Sequence, residues 1–165
     1  MKYLHVLLLP AISAGLFATL PLAAQGRGSP PLVVSAQNVT ALSNGRADKN
    51  AAQPGDEIRY RLVFTNVTTG PVKNVKFVDP IPSGMVYVLG YATSDQRVRA
   101  EYSIDGGRVY AAQPTISVVE DGKPVQKHAS AEQYTHVRWT VIGALARGAQ
   151  ASVEFRGRVK QAPGQ

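Results

Sequence analysis

The sequence predicts an all-β protein, a β-sandwich of roughly seven to nine short strands preceded by a cleaved signal peptide. Three observations point there. Beyond residue 31, apolar residues recur with a period of two, and a helical period of 3.6 never wins over it. The 15 Gly and 11 Pro of the 165-residue chain gather at the joints between apolar runs, where turns need them. The first 24 residues have the order of an export signal. Closing so many strands around one core calls for two packed sheets or a barrel, and the sandwich is the expectation.

The export segment is MKYLHVLLLPAISAGLFATLPLAAQG. Lys2 gives the positive start, Leu4 to Leu20 the apolar run, and Leu22-Ala23-Ala24 the small-residue exit. The run is short for a membrane span and has no basic stop-transfer cluster, so cleavage after Ala24 is expected. His5 would leave with it. The expected division is therefore 1–24 signal peptide, 25–31 flexible leader, 32–160 β-sandwich and 161–165 tail. No integral span is expected after cleavage.

Each element then follows in order. Leu32 to Leu42 (LVVSAQNVTAL) reads as a first, edge strand, and SNGRADKNAAQPGD as a long loop with turns at Asn44-Gly45 and Pro54-Gly55. Glu57 to Asn66 is the clearest strand, with Ile58, Tyr60, Leu62 and Phe64 on one face and Arg59, Arg61, Val63 and Thr65 on the other. VKNVKFVD follows, with Val75 and Phe77 inward. Asp79-Pro-Ile-Pro-Ser-Gly84 cannot be regular sheet, because two prolines remove donors, and reads as a corner carrying the chain to the opposite sheet. Met85, Tyr87, Leu89 and Tyr91 alternate again. Arg97 to Ile104 is a strand, Asp105-Gly106-Gly107 a hairpin turn, and RVYAA its return. TISVVEDGKPVQ suggests a small hairpin around Asp121-Gly122. YTHVRWTVIGAL turns Val137, Trp139 and Val141 inward, and ASVEFRGRVK closes with Val153, Phe155 and Val159 on one face. No helix is expected.

Composition bounds the chemistry. With no cysteine, disulfides, thiol catalysis, Cys-ligated zinc and a lipidated N-terminal cysteine are all excluded. An exported chain without cysteine fits a bacterial envelope. A formal charge of +7 keeps the protein soluble through outward Lys and Arg, and it also suits anionic partners. Asp56 after Pro54-Gly55 reads as a turn-capping carboxylate, and Asp79 before Pro80 reads the same way. Asp95, Asp105, Glu120 and Asp121 lie on separate turns without calcium-loop spacing. His128 reads as a solvated loop residue and His136 as outward on its strand. No hydrolase or phosphate-loop motif is present. Arg97, Arg99 and Arg108 beside Tyr102 and Tyr110 carry the look of a nucleic-acid site, but export removes that client. Asn38-Val-Thr40 and Asn66-Val-Thr68 match glycosylation sequons and are read as coincidental.

The stretch Pro54 to Val88, PGDEIRYRLVFTNVTTGPVKNVKFVDPIPSGMVYV, resembles the conserved-repeat surface domain, also called domain of unknown function eleven. The resemblance rests on Pro54, Gly55, Asp56, Thr65, Asn66, Gly70, Asn74, Val75, Asp79, Pro80, Pro82 and Gly84. YSIDGG with Asp105 and Gly106, the Trp139 strand and LARGAQASVEFRGRV extend it over Val33 to Val159. It implies an immunoglobulin-like sandwich in exported proteins, with neither enzyme activity nor cofactor. The motif residues carry structural roles in this reading, and no catalytic, cofactor-binding or metal site is expected.

The function expected is that of a non-enzymatic module of the periplasm, cell envelope or exterior. It would act by protein–protein or surface contacts, structural or adhesive, through a β-edge or loops. The alternative is a module binding carbohydrate or anionic lipid headgroups through exposed Tyr and Arg. No nucleic acid is expected.

Overall fold

Most of the alternating apolar runs are strands. The computed structural model describes residues 5–7 and 31–161. The expected signal peptide, leader and tail fall largely outside them. Strand β1 is His5–Leu7 and β2 is Leu32–Asn38, followed by the one-turn helix α1, Val39–Ser43. Then come β3 (Glu57–Thr65), β4 (Val72–Lys73), β5 (Lys76–Pro80), β6 (Met85–Tyr87), β7 (Thr93–Ser94) and β8 (Val98–Ser103). β9 (Thr115–Glu120) and β10 (Lys123–His128) form a hairpin, a 3₁₀ turn spans Ala131–Gln133, and β11 (His136–Val141), β12 (Ala144–Leu145) and β13 (Gln150–Val159) finish the chain.

Two principal sheets result. One has the order β1-β5-β11-β8, the other β2-β3-β13-β6 with β7 also on β13, and two small pairs, β9–β10 and β4–β12, stand apart. β1 runs parallel to β5; every other pairing among the described residues is antiparallel. The Asp79–Gly84 corner does move the chain between sheets, since β5 lies in the first and β6 in the second.

Both sheets contribute to one buried cluster. β3 gives Leu62 and Phe64, β5 gives Phe77, β11 gives Val137, Trp139 and Val141, and β13 gives Ala151, Val153 and Phe155. Trp139 meets Phe155 with ring centroids 6.1 Å apart, a contact between strands of different sheets. Both are fully buried, so truncating either to alanine would cost about 3–5 kcal/mol. The inward sets expected on β3, β11 and β13 are found, except that Tyr60 is half-buried at the rim of the cluster and Val159 is half-buried outside it.

Several expectations are corrected. The first strand stops at Asn38, whose side chain accepts from Ala41 N–H and caps a helix over Val39–Ser43; a β-branched Val-Thr pair hid an Asn cap. The strand expected over VKNVKFVD is split at Asn74, which adopts φ 57°. Asp79 and Pro80 still belong to β5, Pro80 opposite His136, so the corner begins at Ile81, two residues later than expected. A terminal strand position tolerates proline. The alternation expected to Tyr91 ends at Tyr87: Leu89 and Tyr91 are exposed, and Gly90 turns at φ 83°. RVYAA is not a strand. It makes one isolated bridge, Tyr102 to Ala111, because Asp105 folds Arg108 and Val109 back onto its carboxylate.

Candidate functional site

The motif residues gather at different ends of the fold. Gly55 donates its N–H to Val159 O at 2.9 Å, Val159 donates to Asp56 O at 2.8 Å, and Lys160 donates to Gly84 O at 2.9 Å. The Pro54–Asp56 turn and the Pro80–Gly84 corner, with Pro82 O accepting from Met85, thus meet at the end of β13. Asn66 lies at the opposite end of β3. Its amide donates to Gly70, Leu145 and Ala146 carbonyls, and its oxygen accepts from Thr68. Asp105 takes a hydrogen bond from Ser103 at 2.6 Å, and Gly106 donates to Thr135. Trp139 is core.

Asp56 does more than cap a turn. It is buried, and its carboxylate receives the Arg46 guanidinium, the Asn38 amide and the Gln53 N–H. Those donors, Arg46 foremost, hold its pKa down at about 2. The Asn38 amide also reaches Ala51 O at 2.9 Å, so this network clamps the 44–56 loop against β2 and β3. Asn38 and Asn66, the two sequon residues, are both buried and engaged by backbone.

Asp79 is not a turn-former, contrary to expectation. It points inward on β5, is buried, and its Oδ2 has no partner among the described residues. Burial raises its pKa to about 6. The alternation that makes Phe77 inward makes Asp79 inward too, and the following proline masked that in the sequence.

β2 is an exposed edge strand. It lies at the edge of its sheet and pairs only with β3 among the described residues. Thr65 donates to Pro31 O in the register that sets Leu32 opposite Phe64. In an antiparallel ladder this turns the backbone of Val33, Ser35 and Gln37 toward β3, and that of Val34 and Ala36 outward. Val33 and Val34 are 48% and 41% exposed although their side chains lie on opposite faces.

Beside this edge lies a groove of about 420 Å³ whose walls include Ser35, Gln37, Lys49, Asn50, Arg59 and Arg61. Arg59 and Arg61 stand two residues apart on the outer face of β3. Asp48 accepts from Asn50 and Ala51 N–H and shapes the turn that presents Lys49. Sequence reading put Arg59 and Arg61 outward correctly. It missed Lys49, which the Asp48 turn and the Asp56 clamp together bring to the same place.

His128 and His136 form no acid–base pair. His136 Nδ1 lies 3.2 Å from Thr135 Oγ1, and burial lowers its pKa, partly offset by Asp105. His128 is not a loop residue but the exposed end of β10, opposite Thr115. Among the described residues no three His, Cys, Asp or Glu side chains are placed to hold a metal, and no helix is long and apolar enough to cross a membrane. Comparison with protein-family models and with curated proteins found no match.

Proposed function

We propose that the chain is an exported, immunoglobulin-like β-sandwich of the bacterial cell envelope that works by contact, without catalysis, and that the β2 edge is its contact surface. The single observation that carries this reading is an edge strand with outward backbone groups at Val34 and Ala36 and exposed valines on both faces. Such an edge is a template for a strand from another chain. The sandwich reading draws support from the two sheets sharing one cluster and from the Asp79–Gly84 crossover. The resemblance to the conserved-repeat surface domain belongs to the same proposal, as does removal of residues 1–24, which would take β1 with it and leave β5 at the edge of its sheet.

The alternative, sugar or headgroup binding through exposed tyrosines, has less behind it. Tyr110 lies beneath the Arg138 guanidinium at 4.0 Å, and Tyr134 stacks on Tyr102 at 5.0 Å. Neither offers a flat free ring.

A photo-crosslinking amino acid at Val34, in cells that make the protein, tests the edge reading. A discrete adduct from Val34, and none from the same probe at Val119 on the exposed hairpin, is the expected result. Equal labelling from both positions, or none from Val34, overturns it.

A further inference from the structure

We infer that the strand that docks on the β2 edge is acidic, with carboxylates on alternate residues that enter the groove beside Arg59 and Arg61. This rests on the edge reading above and names the chemistry of the partner.

Charges on the outer face of the sheet stand in register. Across β3 and β13, Arg61 is opposite Glu154, and Glu57 is opposite Arg158. Both are ion pairs, at 3.3 Å and 2.9 Å. Between them Arg59 stands opposite Arg156, and like charges directly opposite each other are unfavourable. Arg156 resolves the conflict by reaching Glu57 and lying over Tyr91. Arg59 turns the other way, toward β2, and bonds the neutral amide of Gln37. No carboxylate pairs with Arg59 or with Lys49 among the described residues. The face therefore lacks an anion on the side where β2 ends the sheet.

Geometry selects an extended peptide. Arg59 and Arg61 project about 7 Å apart, two strand rises, and an added strand repeats its own side chains with the same spacing. Its outer-face residues would lie next to Ser35 and Gln37. Ser35 is small, and Arg59 already reaches across to Gln37. The 44–56 loop, fixed by Asn38 and Asp56, holds Lys49 at the end of the same groove.

The test uses a fluorescent, end-blocked octapeptide alternating threonine and glutamate, with glutamine and lysine versions as comparators. Binding is read by anisotropy on the purified protein, processed as its cell leaves it. The glutamate peptide should bind about fivefold tighter than the glutamine one, the range of two exposed ion pairs. That gap should shrink to about twofold in Arg59→Gln, where one pair is lost, and close in Arg59→Glu and at about 0.5 M salt. Ala36→Pro removes an outward N–H without touching the β3 ladder. It should abolish binding of both peptides, with circular dichroism and melting near wild type in all variants.

Equal affinity for the glutamate and glutamine peptides, both lost in Ala36→Pro, overturns the acidic partner and leaves the edge reading standing. Glutamate binding that survives Ala36→Pro and is displaced by inorganic phosphate or by phosphatidylglycerol vesicles overturns both. No binding of any peptide at millimolar concentration also overturns the proposal.

Discussion

Asn66 is fully buried, and its one amide ties three carbonyls from two loops to the end of β3. Asn66→Ala should cost about 2–4 kcal/mol in urea unfolding, because the Leu145 and Ala146 carbonyls lose a buried donor. Asp56 and Asp79 make opposite contributions to pH dependence. Asp56 has its pKa depressed, from 3.8 to about 2, so its contribution is present above pH 4 and is lost as pH falls toward 2. Asp79 has its pKa raised, from 3.8 to about 6. Its folded form keeps a proton that the unfolded chain releases, so stability declines as pH rises from about 4 to 6. Asp79→Asn should flatten that decline and stabilise the protein at pH 7.5 by about 1–3 kcal/mol, since each tenfold change in proton affinity is worth about 1.4 kcal/mol. Urea titrations from pH 4 to 8 measure it. A parallel decline in both proteins would assign the effect elsewhere. Position 79 was legible as a motif residue but not as a buried acid, since only the inward parity of Phe77 carried that information.

Among elements, those with long alternation were readable and short ones were not. β11 buries every second residue, and β3 and β13 do so along most of their length, so the sequence period reports the face directly. β4, β7 and β12 have two residues each, too few for a period to show. α1 was hidden because Val39 and Thr40 favour strand in isolation, and the Asn38 cap decides against it. The β9–β10 hairpin was visible from its Asp-Gly turn, where Asp121 and Gly122 both take positive φ. The structure adds that every residue of β10 is exposed. Two strands without a covering face hold little stability of their own. Amides of Thr115–His128 should therefore exchange first in hydrogen-exchange mass spectrometry, with opening free energies of about 0–2 kcal/mol, while β13 is protected close to the global limit. Protection of the hairpin equal to that of β13 would contradict this.

At the scale of the molecule, one cluster joins strands from both principal sheets, and the single Trp of the sequence, Trp139, sits fully buried in it. Unfolding should therefore be one cooperative event. Trp139 fluorescence and far-ultraviolet circular dichroism should give coincident urea transitions, and separated midpoints would mean that the sheets unfold independently. The largest ladder in that arrangement joins β3 to β13, pairing Gln150 with Thr65 and Arg158 with Glu57. β13 also lies between β3 and β6. A ribosome delivers these strands in sequence order, so β3 waits for a central neighbour until Val159 has emerged. Contacts so distant along the chain are slow to form. For a polypeptide exported as proposed, which threads a membrane channel before it folds, that delay is an advantage: the order of synthesis itself keeps the five-stranded sheet from closing early.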